Sequence, residues 1–200
     1  YDGSGFVPGL LAGESAQLKQ FALQVRDGVI FASTTGEELI SDDDGDFGPW
    51  FDSRPINRLV SARLTDGSLN VIDTTEPLGK VEDWETTRST RFVGDRAYVV
   101  TFRETDPLVV IDISDAEDLK VLGELEIPGF SQYMHPLGDD HLLTIGRGET
   151  WNSIQLQIFD VSDDLNPTQA HQVDLGQGYT EAGYDHRAFT FHAERGLLAV

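Results

Sequence analysis

The sequence predicts an all-β fold: a β-propeller of which this chain carries about four blades of four-stranded antiparallel sheet. Three observations lead to this prediction. Apolar strands that end in Asp and a turn recur at 69–74, 109–115 and 157–163. A second element, in which a polar turn precedes a short apolar strand, recurs between them. Helical periodicity is absent, apart from a short piece at 13–19.

The copies of these elements are spaced as propeller blades are. Asp73, Asp112 and Asp160 end the apolar strands, at intervals of about 40 to 50 residues, which is the length of one blade. The second element occurs at 94–100, 138–145 and 194–200, with an earlier copy at 26–32. Small sheets leave exposed edges unless they pack around an axis, so a propeller explains them better than the alternative, a β-sandwich with irregular loops.

The best-preserved unit covers residues 130–175. Its predicted strands are 132–136, 141–146, 154–161 and 168–175. Turns at 138–140 and 162–167 separate them, because Gly and Asp accept turn conformations and Pro ends a strand ladder. The last unit stops inside a strand at Val200. We therefore expect residues 1–200 to be a single propeller domain, or a fragment of one that continues beyond Val200.

The charge of the chain restricts its partners. It has 35 acidic and 14 basic residues and a net charge of -21. Nucleic acid is not expected as a partner, because phosphate binding needs a basic surface, and an anionic membrane would repel the chain. The hydrophobic content of 39% is that of a folded protein. An Asp-rich, Lys-poor surface suits salty water, where self-repulsion is screened, and predicts a marine or halotolerant source.

Cysteine is absent from the sequence. Disulfides, thiol chemistry and thiolate zinc sites are therefore excluded. No stretch is long and apolar enough for a spanning helix, so we expect no transmembrane segment in this chain, and an export signal would be removed or lie upstream.

A series of motifs carries a resemblance to a known family. They are Val7-Pro8-Gly9, Gln20-Phe21-Ala22, 32–36, 94–102, Asp106-Pro107-Leu108, 127–131, His135-Pro136 and 185–189. In this order they resemble the secreted bacterial and archaeal proteins with a C-terminal β-propeller domain distantly related to WD repeats. The resemblance implies a propeller that is secreted or located in the cell envelope. It leaves the function open, because no enzymatic activity is established for that family.

One acidic segment is a candidate metal site. Asp42, Asp44 and Asp46 surround Gly45, and carboxylate oxygens are the ligands that calcium prefers. The segment does not match the helix-loop-helix calcium pattern, because it lacks the required Gly position and the final Glu. Calcium is the one cofactor that the sequence suggests, and a solvated loop between strands is the alternative.

The predicted ligand site lies at the mouth of the propeller channel. Loops that lead into innermost strands share one end of a propeller with loops that join second and third strands, and ligands bind in such concave mouths. These loops carry the candidate ligand-binding residues Arg88, Arg103, Asp106, Ser131, Arg147, Asp185 and His186. Because Arg binds carboxylate or phosphate in a bidentate way, a small anion is a candidate ligand. Alternatively, Asp185 and His186 pair structurally and lock one blade to the next.

These residues favour a non-catalytic, extracytoplasmic binding or scaffolding module for a protein, a polysaccharide or a small anionic ligand. No nucleophile elbow and no phosphate-binding glycine loop occurs. The alternative is a metal-dependent hydrolase or lyase with His and Asp ligands at the channel mouth. A structural domain that leaves the chemistry to another domain is the third hypothesis, because fold does not decide function.

Overall fold

The computed structural model describes residues 4–5, 9–13, 15–42, 50–80, 84–102, 106–127, 129–148, 150 and 152–200. The strands in this part of the chain are β1 (Ser4–Gly5), β2 (Leu10–Leu11), β3 (Leu23–Arg26), β4 (Val29–Asp42), β5 (Trp50–Thr65), β6 (Ser68–Thr74), β7 (Thr86–Val93), β8 (Arg96–Phe102), β9 (Asp106–Asp112), β10 (Lys120–Ile127), β11 (Phe130–Leu137), β12 (His141–Arg147), β13 (Ser153–Asp160), β14 (Thr168–Gln177), β15 (Thr190–His192) and β16 (Leu197–Ala199). Short 3-10 helices lie at Lys19–Ala22, Glu181–Gly183, His186–Ala188 and Ala193–Arg195.

The strands form successive antiparallel blades. The first blade is β3 to β6, the second is β7 to β10 and the third is β11 to β14, each in sequence order. The pair β15 and β16 begins a fourth. In addition, β2 pairs with β4, and β1 pairs in parallel with β6. The all-β fold class and the blade architecture are confirmed. No helix in the described part of the chain is long and apolar enough to cross a membrane.

The third blade agrees with the prediction. The predicted equivalence of segment 69–74 with segments 109–115 and 157–163 is wrong. Asp112 and Asp160 end third strands, where each accepts a hydrogen bond from the backbone N–H two residues on, at 2.9 and 3.0 Å. Asp73 instead lies in β6, the fourth strand of its blade, and accepts a hydrogen bond from Leu119 N in the second blade at 2.7 Å. The segment 69–74 is therefore not the structural equivalent of the other two.

The hydrophobic cores lie between blades. Along β8, Ala97 and Val99 face the first blade, whereas Tyr98 and Val100 face the third, because successive side chains of a strand point to opposite faces. All four are at most 2% exposed. Full burial of a large apolar side chain stabilises a fold by roughly 1.5–3 kcal/mol, so each interface contributes to the stability of both blades beside it.

The second and third strands of the first blade are much longer than the blade requires. They pair continuously from Val29 and Arg63 to Asp42 and Trp50. Residues 36–42 and 50–56 extend beyond the rows that pair with β2, β3 and β6. We call this two-stranded extension the arm. At about 3.4 Å per residue, it projects roughly 20 Å, and the Leu39 side chain on it is 70% exposed.

At the opposite end from the arm, an ion-pair network joins the second and third blades. Arg96 Nε donates to Asp164 Oδ2 at 2.7 Å, and Arg96 Nη1 donates to Asp112 Oδ1 at 2.9 Å. The three side chains are 25–27% exposed. Although burial raises the pKa of Asp112, the hydrogen bonds from Ser114 and the charge of Arg96 outweigh it and lower that pKa.

Replacing Arg96 with Met is expected to lower the free energy of unfolding by about 1–2 kcal/mol at pH 7, because two carboxylates lose their shared cation and solvent screens part of the effect. A carboxylate with a lowered folded pKa contributes stability above its ordinary pKa of about 4, and the contribution disappears as pH falls through the folded pKa. Urea unfolding should show the difference at pH 7 and a smaller one at pH 3. An equal loss of unfolding free energy at pH 7 and pH 3 would contradict the assignment of the effect to ion pairs. Arg63→Met is the control, because Arg63 is exposed.

Candidate functional site

The arm projects from the end of the propeller at which the sequence predicts the ligand site. It forms the connection between the second and third strands of the first blade. The segments 84–85 and 178–189, which lead into innermost strands β7 and β15, reach the same end, because strand direction alternates within each blade. This end therefore combines the arm with the interblade connections.

A cleft of about 670 Å³ opens at the foot of the arm. Its walls come from 9–13 and Lys19, from 35–37 and Pro55 of the arm and its base, and from 86–88 of β7. Small-molecule sites commonly occupy about 300–1,000 Å³. The cleft is thus large enough for a small ligand, and it lies between the first two blades.

Arg88 is held at the cleft by two aromatic rings. Its guanidinium carbon is 5.5 Å from the ring centre of Phe102 and 5.4 Å from that of Phe130. A bulge in β7 lies between Thr87 and Ser89, and bulges re-aim side chains. Cation-π contacts of this kind orient an arginine head.

A buried amide forms the support beneath the cleft. Asn57, 2% exposed, accepts hydrogen bonds from Thr87 N at 3.0 Å and from Thr35 Oγ1 at 2.8 Å. Its Nδ2 donates to the Glu85 carbonyl at 2.9 Å. Because Thr35 and Thr87 both line the cleft, this single side chain joins the wall formed by the first blade to the wall formed by the second.

The N-terminal wall requires glycine at one position. Gly9 has a φ of +92°, and a Cβ there would lie 3.0 Å from the Thr35 carbonyl carbon and oxygen. Glycine adopts this left-handed backbone without the steric cost that other residues have. The segment can therefore lie directly against the base of the arm.

The charges lining the cleft differ in sign from the chain as a whole. Among the residues that the structure describes, Lys19 and Arg88 line it together with one carboxylate, Glu37. Glu37 accepts a hydrogen bond from Ser53 Oγ at 2.9 Å, which holds the carboxylate along the arm. In a chain with a net charge of -21, a cleft with two cations and one anion is a local basic region.

Three of the predicted ligand-binding residues lie in or beside β7, β11 and β12. Arg88 lines the cleft. Ser131 is buried, and its carbonyl accepts a hydrogen bond from Ser89 Oγ at 2.7 Å. Arg147 donates to the Gly178 carbonyl and to the Tyr184 hydroxyl, both at 3.3 Å. Ser131 and Arg147 thus make contacts within and between blades, and only Arg88 of these three lines the cleft.

Asp185 and His186 lie in the segment that leads into the fourth blade. The Asp185 carboxylate caps the turn through Arg187 N at 3.0 Å and pairs with the Arg187 guanidinium at 2.6 Å. Hydrogen bonds from Arg187 lower the pKa of Asp185 to about 2. His186 Nδ1 is 3.8 Å from Asp185 and 3.0 Å from Gln20 Nε2. The principal partner of Asp185 is therefore Arg187 rather than His186.

The other predicted residues give no site geometry. Arg103, Asp44 and Asp46 lie outside the described residues, and Asp42 and Asp106 are described only as the ends of β4 and β9. Among the described residues, no three His, Asp or Glu side chains converge as metal ligands.

Sequence reasoning missed Lys19 and Glu37, which complete the cleft. Lys19 lies in a 3-10 helix preceding the first blade, and Glu37 lies on the arm. Neither position belongs to the blade repeat, so the repeat pattern carries no signal for them. Their approach to Arg88 depends on long-range packing.

The comparison with protein families decides the membership of the chain. The family model described as Beta propeller domain matches residues 1–200. The chain belongs to the beta propeller domain family. This membership agrees with the three blades and the cores between them.

Two relatives of this propeller come from archaea. An uncharacterised protein of Methanocaldococcus jannaschii is 34% identical over 173 residues, which is 86% of this chain and 25% of that protein. An uncharacterised protein of Archaeoglobus fulgidus is 36% identical over 126 residues, which is 62% of this chain and 20% of that protein. The propeller described above thus spans a quarter or less of the length of each relative.

Proposed function

We propose that this propeller is a non-catalytic, extracytoplasmic binding module that takes an anionic ligand, a carboxylate or a phosphate, in the cleft at the foot of the arm. The observation that carries the proposal is the pair of cations, Lys19 and Arg88, on a cleft of about 670 Å³. The extracytoplasmic location rests on the family resemblance, and protease accessibility on intact cells that express the full-length protein tests it.

Electrostatics support an anion at this position. A chain with a net charge of -21 repels anions over most of its surface, so an anion is retained only where cations dominate locally. The planar guanidinium of Arg88 presents a donor fork that fits carboxylate and phosphate. Its contact with both Phe102 and Phe130, whose ring centres lie 4.4 Å apart, restricts its motion, which reduces the entropy that binding costs.

Citrate and phosphate are the probes for this proposal, with glucose as a neutral solute and NaCl to match ionic strength. A ligand at 100 times its Kd stabilises the folded state by about 2.7 kcal/mol. We expect citrate or phosphate to raise the Tm above the NaCl control, and we expect Arg88→Gln and Lys19→Gln each to weaken the binding measured by calorimetry by about tenfold.

Arg63→Gln is the matched control, because it removes one positive charge from an exposed residue that does not line the cleft. Its affinity should stay within twofold of the wild type. The Tm of each variant without ligand separates lost binding from lost folding. Equal Tm values in citrate, phosphate and NaCl, or equal losses in Arg63→Gln and Arg88→Gln, would overturn the proposal.

A further inference from the structure

A second cluster of polar and aromatic side chains lies at the inner edges of the blades, apart from the residues that line the cleft. Arg91 projects from β7, and Tyr133 and His135 project from β11. The guanidinium carbon of Arg91 lies 4.6 Å from the ring centre of Phe21, and Phe21 lies 5.5 Å from Tyr133. We call this group, with Gln20, His186, Phe189 and Phe191, the channel cluster, because innermost strands line the channel of a propeller.

Arg91 has no anionic partner in the described part of the chain. Burial lowers the pKa of its guanidinium, and the group that acts in the opposite direction is the Tyr133 hydroxyl rather than a carboxylate. The Nε atom is buried without a hydrogen-bond partner. A cation that is partly removed from water without a counter-charge reduces stability. An anion bound to Arg91 would offset that cost.

The imidazole of His135 is a second polar group in the cluster. Burial, followed by the charge of Arg91, lowers the pKa of His135, so at pH 7 this imidazole is neutral and can both donate and accept a hydrogen bond. Its ring centre lies 5.2 Å from that of Phe189 and 6.0 Å from that of Phe191. These rings restrict the orientation of the imidazole.

The segment at 19–22 closes the other side of the cluster. The ring of His186 stands edge-on to Phe21 at 5.2 Å, and His186 Nδ1 is 3.0 Å from Nε2 of the exposed Gln20. Phe21, His135, His186 and Phe191 are all partly exposed. The cluster thus combines one cation, several neutral hydrogen-bonding groups and flat ring surfaces that water reaches.

We propose that the channel cluster binds a carboxylate-bearing sugar, a uronate, with its carboxylate on Arg91. The planar guanidinium donates two parallel hydrogen bonds to the oxygens of a carboxylate. The apolar face of a pyranose ring packs on partly exposed ring surfaces such as Phe21 and Phe191, as apolar surfaces generally do. Its hydroxyl groups match neutral partners such as the Gln20 amide and the His135 imidazole. This site is independent of the ligand proposed for the cleft.

Trigalacturonate is the probe, with maltotriose as a neutral trisaccharide and acetate as a carboxylate without a ring. Calorimetry on the wild type should show binding of trigalacturonate at least tenfold tighter than that of acetate or maltotriose. Arg91→Gln should weaken trigalacturonate binding at least tenfold. Arg88→Gln and Arg63→Gln should leave it within twofold, because these variants remove the same charge elsewhere. Binding should also shift the NMR signals of His135.

Gln20→Ala is a second variant, because this residue is exposed and its loss is not expected to affect folding. We expect a loss of affinity of about threefold with an unchanged Tm. Absence of trigalacturonate binding, equal binding of maltotriose, or full binding by Arg91→Gln would overturn the inference. Loss of trigalacturonate binding in Arg88→Gln but not in Arg91→Gln would also overturn it, while supporting the function proposed for the cleft.

Discussion

Replacing Gly146 with Ala is expected to lower the free energy of unfolding by about 3 kcal/mol, the upper end of what overpacking of a core costs. A Cβ at Gly146 would lie 1.8 Å from the Phe130 carbonyl oxygen and 2.8 Å from Ser131 Cα. Both contacts are with backbone, so no side chain can rotate away. Strands β11 and β12 would have to separate beside the bulge between Ser131 and Tyr133.

Thermal unfolding measures this effect, and for a chain of this size about 3 kcal/mol corresponds to a Tm lower by roughly 6–12 °C. Gly36→Ala is the matched control, because its Cβ would lie 3.6 Å from Gly9 Cα and 3.9 Å from Gly9 N, both ordinary van der Waals contacts. Since the Phe130 ring is one of the two that contact the Arg88 guanidinium, Gly146→Ala should also weaken anion binding at the cleft. Equal Tm values for the two alanine variants would contradict the close approach at Gly146.

Replacing Asn57 with Leu is expected to lower the free energy of unfolding by about 3–4 kcal/mol. The change leaves Thr87 N, Thr35 Oγ1 and the Glu85 carbonyl without the partner that each has now. A buried polar group that loses its partner costs about 1–3 kcal/mol, and the larger side chain adds strain. The loss should appear in urea unfolding as a lower midpoint with an unchanged slope.

Asn70→Leu provides the comparison, because Asn70 is exposed and its single hydrogen bond, to the Ser68 carbonyl at 3.1 Å, can be replaced by water. Its effect should stay within about 0.5 kcal/mol, as for most surface substitutions. If Asn57→Leu were as mild as Asn70→Leu, the Asn57 amide would not be the link between the walls of the cleft.

The third blade could be predicted from sequence because its signals are local. A Gly-Asp turn next to short, largely apolar segments predicts the strands 132–136 and 141–146, and the structure extends them only to Phe130–Leu137 and His141–Arg147. A strand and a turn depend on neighbours in the chain. The same local signals identified the beginning of the second strand in every blade.

The arm and the cleft could not be predicted in this way. Strands average about 5–6 residues, so the 14 and 16 residues of β4 and β5 depart from any repeat-based expectation. The cleft forms only because Lys19 and Arg88, which are 69 positions apart in the sequence, come close together in the fold. Lys19 reaches the cleft from a short 3-10 helix, and no periodic pattern in the sequence predicts this helix. For Arg91 the sequence contains one signal that could have predicted a role in binding: it is a charged residue within an innermost strand.

The location of the cores between blades has a consequence for cooperativity. Since β8 supplies Ala97 and Val99 to one interface and Tyr98 and Val100 to the other, the second blade has no hydrophobic interior of its own. Folding in such an array follows nearest-neighbour coupling, in which each unit is stable only beside a folded neighbour. A change that destabilises one blade therefore also destabilises the next through the shared interface, and the blades form one cooperative unit rather than separable modules.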